Sequence, residues 1–214
     1  MTRIDSHAAT LSAVRAASNV AASPSERAGL SHLIRLFLTR GVLAVVWAVA
    51  FATVSDSLTT GAGVLLVAYP VIDVVASLVD ARGGRGPTAR KLLHRGAGVS
   101  ALAALGLAIA ATGSVADVLH VFGAWAFLSG LAQIVVALRR RAQLGIQWPM
   151  LIAGGLSTLA GIFYNVAAAG DDPELGPLVA YAAAGGTFFV LQAAILAWRH
   201  RRATVSGAAA ADHR

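Results

Sequence analysis

Six apolar stretches run along this chain, at about 36–54, 61–81, 96–113, 117–138, 149–169 and 176–198. A bilayer core of about 30 Å needs roughly 20 mostly apolar residues in a helix, so each stretch is a candidate span. Barrel strands would alternate with period two, and these runs do not. Helices are then the remaining solution, because a backbone without water must satisfy its own hydrogen bonds. The breaks between stretches are of two alternating kinds. Within successive pairs the turn is short and its only charges are acidic: Asp56, then Asp117, then Asp171, Asp172 and Glu174. Between pairs and at both ends fall the basic residues, all 17 of them within 3–40, 82–95, 139–141 and 199–214.

Lys and Arg in short loops mark the cytoplasmic side of a membrane protein. The pattern therefore predicts an all-α integral membrane fold, with six transmembrane helices as three tandem antiparallel hairpins and both termini cytoplasmic. The hairpin units fall at about 36–82, 95–141 and 149–202, inside a membrane domain of 33–202. Residues 1–32 read as a disordered cytoplasmic tail, because so little apolar surface cannot offset ordering entropy, and 203–214 read the same way. The first thirty residues lack the ordered basic start, apolar run and cleavage site of a secretory signal. Trp148 and Trp198 are expected at an interfacial aromatic belt, whereas Trp47 and Trp125 fall inside spans, where packing is the simpler role.

Composition narrows the function classes. Apolar residues are 57% and charged residues 13% of the chain, against roughly 45–50% and about 25% in soluble globular proteins. The net charge of +7 could suggest nucleic acid, but the basic residues cap apolar spans. Anionic lipid at the basic cytoplasmic loops is the expected partner, and no nucleic acid. There is no Cys, which removes disulfides and thiolate chemistry. No GxSxG, HExxH or Walker A pattern occurs, so no catalytic residue is assigned, and no cofactor. The six histidines are too dispersed for a metal cluster.

Three groups of residues carry candidate chemistry. Asp73 stands near the middle of the second span, where a carboxylate is unfavourable by about 2.5–3.5 kcal/mol on insertion scales. No basic residue is expected at its depth, so its partner should be a hydroxyl, an amide or water, and burial should favour its neutral form. A hydrogen-bonded structural role, a proton-sensing or relay role, and substrate or ion binding all remain open for it. Asp117 and His120, three residues apart, share a face at the outward start of the fourth span. Asp117 suits a helix cap, and histidine is the side chain that titrates between pH 5 and 8. Gly96, Ser100, Ala104 and Ala108 recur every four residues along the third span, a small-residue face for close helix packing. Intramolecular packing is the first reading of that face, and a homo-oligomer interface the rival.

The hairpins also look like copies of one unit. Arg40-Gly41 and Arg95-Gly96 open the first two, and Gly154 keeps the small-residue start of the third; the glycines lie 55 and 58 residues apart. Tyr69-Pro-Val-Ile-Asp73 in the second span matches Trp125-Ala-Phe-Leu-Ser129-Gly130 in the fourth. In these features, over about residues 33–202, the chain resembles the HdeD-like acid-resistance membrane proteins. It departs from them at Val74, where the family often has glycine, and in the third unit's missing Arg. The resemblance implies a bacterial inner-membrane protein associated with acid or envelope stress, non-enzymatic, with no catalytic residues to carry over. The alternative is a small-molecule or proton-coupled transporter or channel that uses Asp73.

Overall fold

The computed structural model describes the backbone of residues 24–82, 86–144 and 148–212, and side chains between 28 and 202 apart from 83–85, 89, 140 and 142–147. It holds α1 (Pro24–Ala52), α2 (Thr60–Arg82), α3 (Pro87–Ala110), α4 (Val115–Leu144), α5 (Trp148–Ala168) and α6 (Gly176–Asp212). All six contain a stretch long and apolar enough to cross a membrane. That makes a multi-pass membrane protein the class this fold defines.

Helix starts follow local chemistry. Pro24, Pro87 and Pro149 stand at or one residue past a first helical position, where a missing N–H is no loss. Thr59 caps α2, its hydroxyl accepting from the Ala62 amide at 3.2 Å. Ser114 caps α4 in the same way, accepting from the Asp117 amide at 3.2 Å, while the Asp117 carboxylate accepts from the Ser114 amide at 2.9 Å. This reciprocal pair satisfies two amides that the first helical turn leaves orphaned.

Helix ends differ from expectation at both termini. α1 begins twelve residues before the expected start at 36, so 24–32 are helical where a disordered tail was expected. α6 likewise continues to Asp212, through most of the second expected tail. Residues 1–23 lie outside the described residues. The apolar run alone set the expected boundaries, but a helix already nucleated by its membrane segment propagates cheaply through Ala- and Arg-containing flanks.

The described residues form two bodies, one of residues 36–192 and a smaller one from the described residues outside that range. In the smaller body the Arg202 guanidinium lies 3.9 Å over the Trp198 ring, a cation–π contact on a half-exposed indole. In the larger body every helix touches the next, and α6 returns to α1 through Gly41 and Gly186. Aliphatic side chains such as Val49, Leu102, Leu105, Ile109 and Leu159 point outward, while the interior holds alanines and aromatic rings. Lipid solvates leucine as well as a protein core does, so close packing of small residues, not hydrophobic exclusion, holds such helices together.

The tightest approaches lie between α4 and α5. A methyl group built on Gly130 would stand 2.5 Å from the Gly154 carbonyl oxygen, and one built on Gly161 would stand 2.6 Å from that of Gly123. Each helix thus presents two glycines seven residues apart, one stripe against another. These contacts join the second and third expected hairpin units to each other, and Gly41 with Gly186 joins the third to the first.

Candidate functional site

α1 places Arg40 twelve residues before its end at Ala52, and α2 places Asp73 thirteen residues after its start at Thr60. At 1.5 Å per residue both lie about 18–20 Å from the turn joining the two helices. Arg40 Nη2 donates to Asp73 Oδ1 at 2.5 Å and to the Ser77 hydroxyl at 3.1 Å. The expectation that no basic residue reaches the depth of Asp73 is therefore wrong. It assigned Arg40 to the membrane edge because α1 was taken to begin at 36, whereas Arg40 stands well inside a span of Ala28–Ala52.

The expected hydroxyl partner is present as well. Ser100 on α3, 2% exposed, donates to Asp73 Oδ2 at 2.7 Å and accepts from Trp125 Nε1 on α4 at 3.1 Å. A single polar chain thus runs Ser77–Arg40–Asp73–Ser100–Trp125 across four helices. Both carboxylate oxygens have a donor, and the carboxylate faces a permanent cation. Intramembrane charges are tolerated when paired in this way, and removing one partner is far more damaging than the net worth of the pair. The side chains are 19% exposed for Arg40 and 36% for Asp73. A second carboxylate, Asp80 on α2, is more deeply buried at 4%; its sequence context of SLVDAR reads as a basic stop and gave no sign of it.

On the same side as the acidic turns, the polar chain gives way to a core of rings. Phe122, fully buried, lies 5.3 Å from Trp125, 5.7 Å from Tyr164 and 5.6 Å from Tyr181, all edge-on. Tyr69 adds contacts to Trp47 at 4.5 Å and Trp125 at 5.8 Å. Edge-to-face geometry sets the positive rim of one ring against the negative face of another. Pro70 is buried within α2 and has no N–H to offer the Leu66 carbonyl one turn back, and the Leu65 carbonyl accepts from Trp47 Nε1 at 2.6 Å. Trp47 and Trp125 are packing residues, 3% and 8% exposed, as their position inside spans suggested. Tyr164 is 3% exposed, and its hydroxyl donates to the Pro177 carbonyl at 3.1 Å.

Asp117 and His120 are both exposed at the start of α4 but take different partners. Asp117 is engaged by Ser114 as a cap. His120 Nδ1 lies 3.0 Å from Asn165 Oδ1 on α5, and Asn165 Nδ2 donates to the Gly161 carbonyl at 2.8 Å. With its amide nitrogen committed to Gly161, Asn165 presents its amide oxygen to His120, an arrangement matched by the imidazole tautomer protonated at Nδ1. Beneath this pair a cleft of about 600 Å³ runs between α4 and α5, lined by Ala124, Phe127, Ile162 and Val166 among others.

The small-residue face of α3 divides. Ser100 and Ala104 are buried, whereas Gly96 and Ala108 are exposed, with open space around Gly96. Twelve residues at about 100° each leave the ends of a four-residue repeat about 120° apart, so it cannot stay on one face. The buried line is Ala97, Ser100, Ala103, Ala104, Leu107 and Ala110. Among the described residues no group of three or more His, Asp or Glu is placed to hold a metal ion. No family model, curated protein or solved structure matches the chain.

Proposed function

We propose that this chain is a non-enzymatic bacterial inner-membrane protein of the HdeD-like type, built as three tandem hairpins with both termini cytoplasmic, that acts under acid or envelope stress. The observation that carries this reading is the charge of one end of the bundle: Asp56, Asp117, Asp171, Asp172 and Glu174 are all exposed there, with no Lys or Arg among them. A face that carries only carboxylates is the one on which an external change of charge acts most directly. The ring-filled interior supports a scaffold over a conduit, since Phe122 and its neighbours occupy the space between helices. Trp198 and Arg202 suit the headgroups of anionic lipid.

One observation favours the transporter alternative, the 36% exposure of the Asp73 side chain, which leaves an intramembrane carboxylate accessible from outside the protein. Its commitment to Arg40 and Ser100 weighs against it. The decisive experiment compares survival and cytoplasmic pH after acid challenge in cells with and without the protein. Loss of survival on deletion, restored by the wild-type chain, supports the stress reading, and equal survival removes it. Flux into proteoliposomes carrying the purified chain separates the two classes: a saturable flux abolished by Asp73→Asn establishes the transporter.

A further inference from the structure

Asp117, His120, Ala124 and Phe127 follow one another along α4 at intervals of three and four residues, which puts them on one ridge of the helix from its first turn inward. The ridge changes character along its length, from a carboxylate to an imidazole to apolar side chains. Asp117, His120 and Ala124 are exposed, and Phe127 is half-buried. Ala124 and Phe127 line the α4/α5 cleft from one side, and the exposed Ile162 and Val166 of α5 line it from the other. These residues lie within the apolar stretches Val115–Arg139 and Trp148–Ala168, where the surrounding medium is lipid. Phe127 stands twelve residues beyond Val115, about 18 Å along the helix. Half of a bilayer core is about 15 Å, so the cleft reaches from the acidic end of the bundle across one leaflet.

We propose that this cleft is a binding site for one acyl chain of a bilayer phospholipid whose head carries a primary ammonium, and that Asp117 and His120 receive the ammonium. The cleft, at about 600 Å³, has the volume and apolar lining of a ligand site, and its one-leaflet length suits an acyl chain better than a second membrane helix, which would run the full thickness. Charge decides the head. The acidic end presents Asp56, Asp117, Asp171, Asp172 and Glu174 with no Lys or Arg among them, so it repels an anionic head and attracts a cationic group. Hydrogen bonding decides further. Both Ser114 bonds to the Asp117 carboxylate fall on Oδ2, which leaves Oδ1 as an acceptor, and a His120 protonated at Nδ1 toward Asn165 is an acceptor at Nε2. An ethanolamine head supplies N–H donors to such acceptors, whereas a choline head has the same charge and no N–H to give.

The test uses the full-length chain in phosphatidylcholine vesicles containing a trace of either phosphatidylethanolamine or phosphatidylcholine with a photoactivatable diazirine on one acyl chain. Adducts are mapped by mass spectrometry. With the wild-type chain, the ethanolamine probe should label the cleft residues of α4 and α5 about tenfold more than the choline probe, the scale of one charge-assisted hydrogen bond. Asp117→Asn, which keeps an acceptor for the helix cap, should remove most of that preference, as should His120→Phe. Ala124→Trp, which fills the cleft from an exposed position, should abolish the cleft adducts of both probes. Equal labelling by the two probes, adducts spread evenly over the lipid-facing helices, or cleft adducts undiminished in Ala124→Trp would each overturn the site. Pairs of the chain cross-linked through this face in place of lipid adducts would assign the cleft to a second copy and overturn it as well.

Discussion

The α4/α5 glycine stripe gives the most quantitative test of how this protein is held together. A methyl group added at Gly161 would lie 2.5 Å from the Phe127 amide nitrogen and 2.6 Å from the Gly123 carbonyl oxygen. Ordinary contact is about 3.5 Å, so the helices must separate by about 1 Å or distort. Both obstacles are backbone, which cannot rotate away, and this places Gly161→Ala near the upper end of the 1–3 kcal/mol typical of overpacking. Alanine also gains up to about 1 kcal/mol of helix propensity over glycine. Gly155, on the same helix with nothing within 4 Å, receives that gain alone. The difference between Gly161→Ala and Gly155→Ala therefore isolates the clash at about 2–3 kcal/mol, with Gly155→Ala unchanged or slightly stabilised. Unfolding by sodium dodecyl sulfate in mixed micelles, followed by tryptophan fluorescence, measures both. Equal stability of the two variants would refute backbone contact at this joint.

Other perturbations address separate parts of the molecule. Phe122→Ala removes the fully buried ring on which Trp125, Tyr164 and Tyr181 converge and should destabilise by about 3–5 kcal/mol in the same assay; a loss under 1 kcal/mol would show that the cluster collapses around the gap. Trp47→Phe keeps the ring but deletes the donor to the Leu65 carbonyl, and should lower stability by about 1 kcal/mol, with a change in the infrared amide band of that carbonyl as the specific signature. Ser114→Ala removes the α4 cap at a cost of about 1 kcal/mol, and amide hydrogen exchange should quicken at Val115–Asp117 with little change deeper in α4.

Much of the polar architecture was hidden from the sequence for one reason, the length of α1. Hydropathy placed Arg40 at the membrane edge because the apolar run begins near it, yet the helix extends back to Pro24 and carries Arg40 to the depth of Asp73. Ser100 was visible as a packing residue, and its true role as donor to Asp73 and acceptor from Trp125 required three helices to converge. The pairing of His120 with Asn165 across 45 residues had no local signal. Asp117 was readable as a cap, because capping depends only on its own turn.

The sequence by itself determined what is additive along the chain. Six runs of apolar residues yield six helices long enough to cross a bilayer, since transfer into lipid sums over each segment irrespective of its neighbours. The tertiary structure alone decided which faces meet. Nearly every position in a membrane helix is apolar, so periodicity does not separate the lipid face from the packed face, and only the fit of glycine to glycine, ring to ring and Arg40 to Asp73 does so.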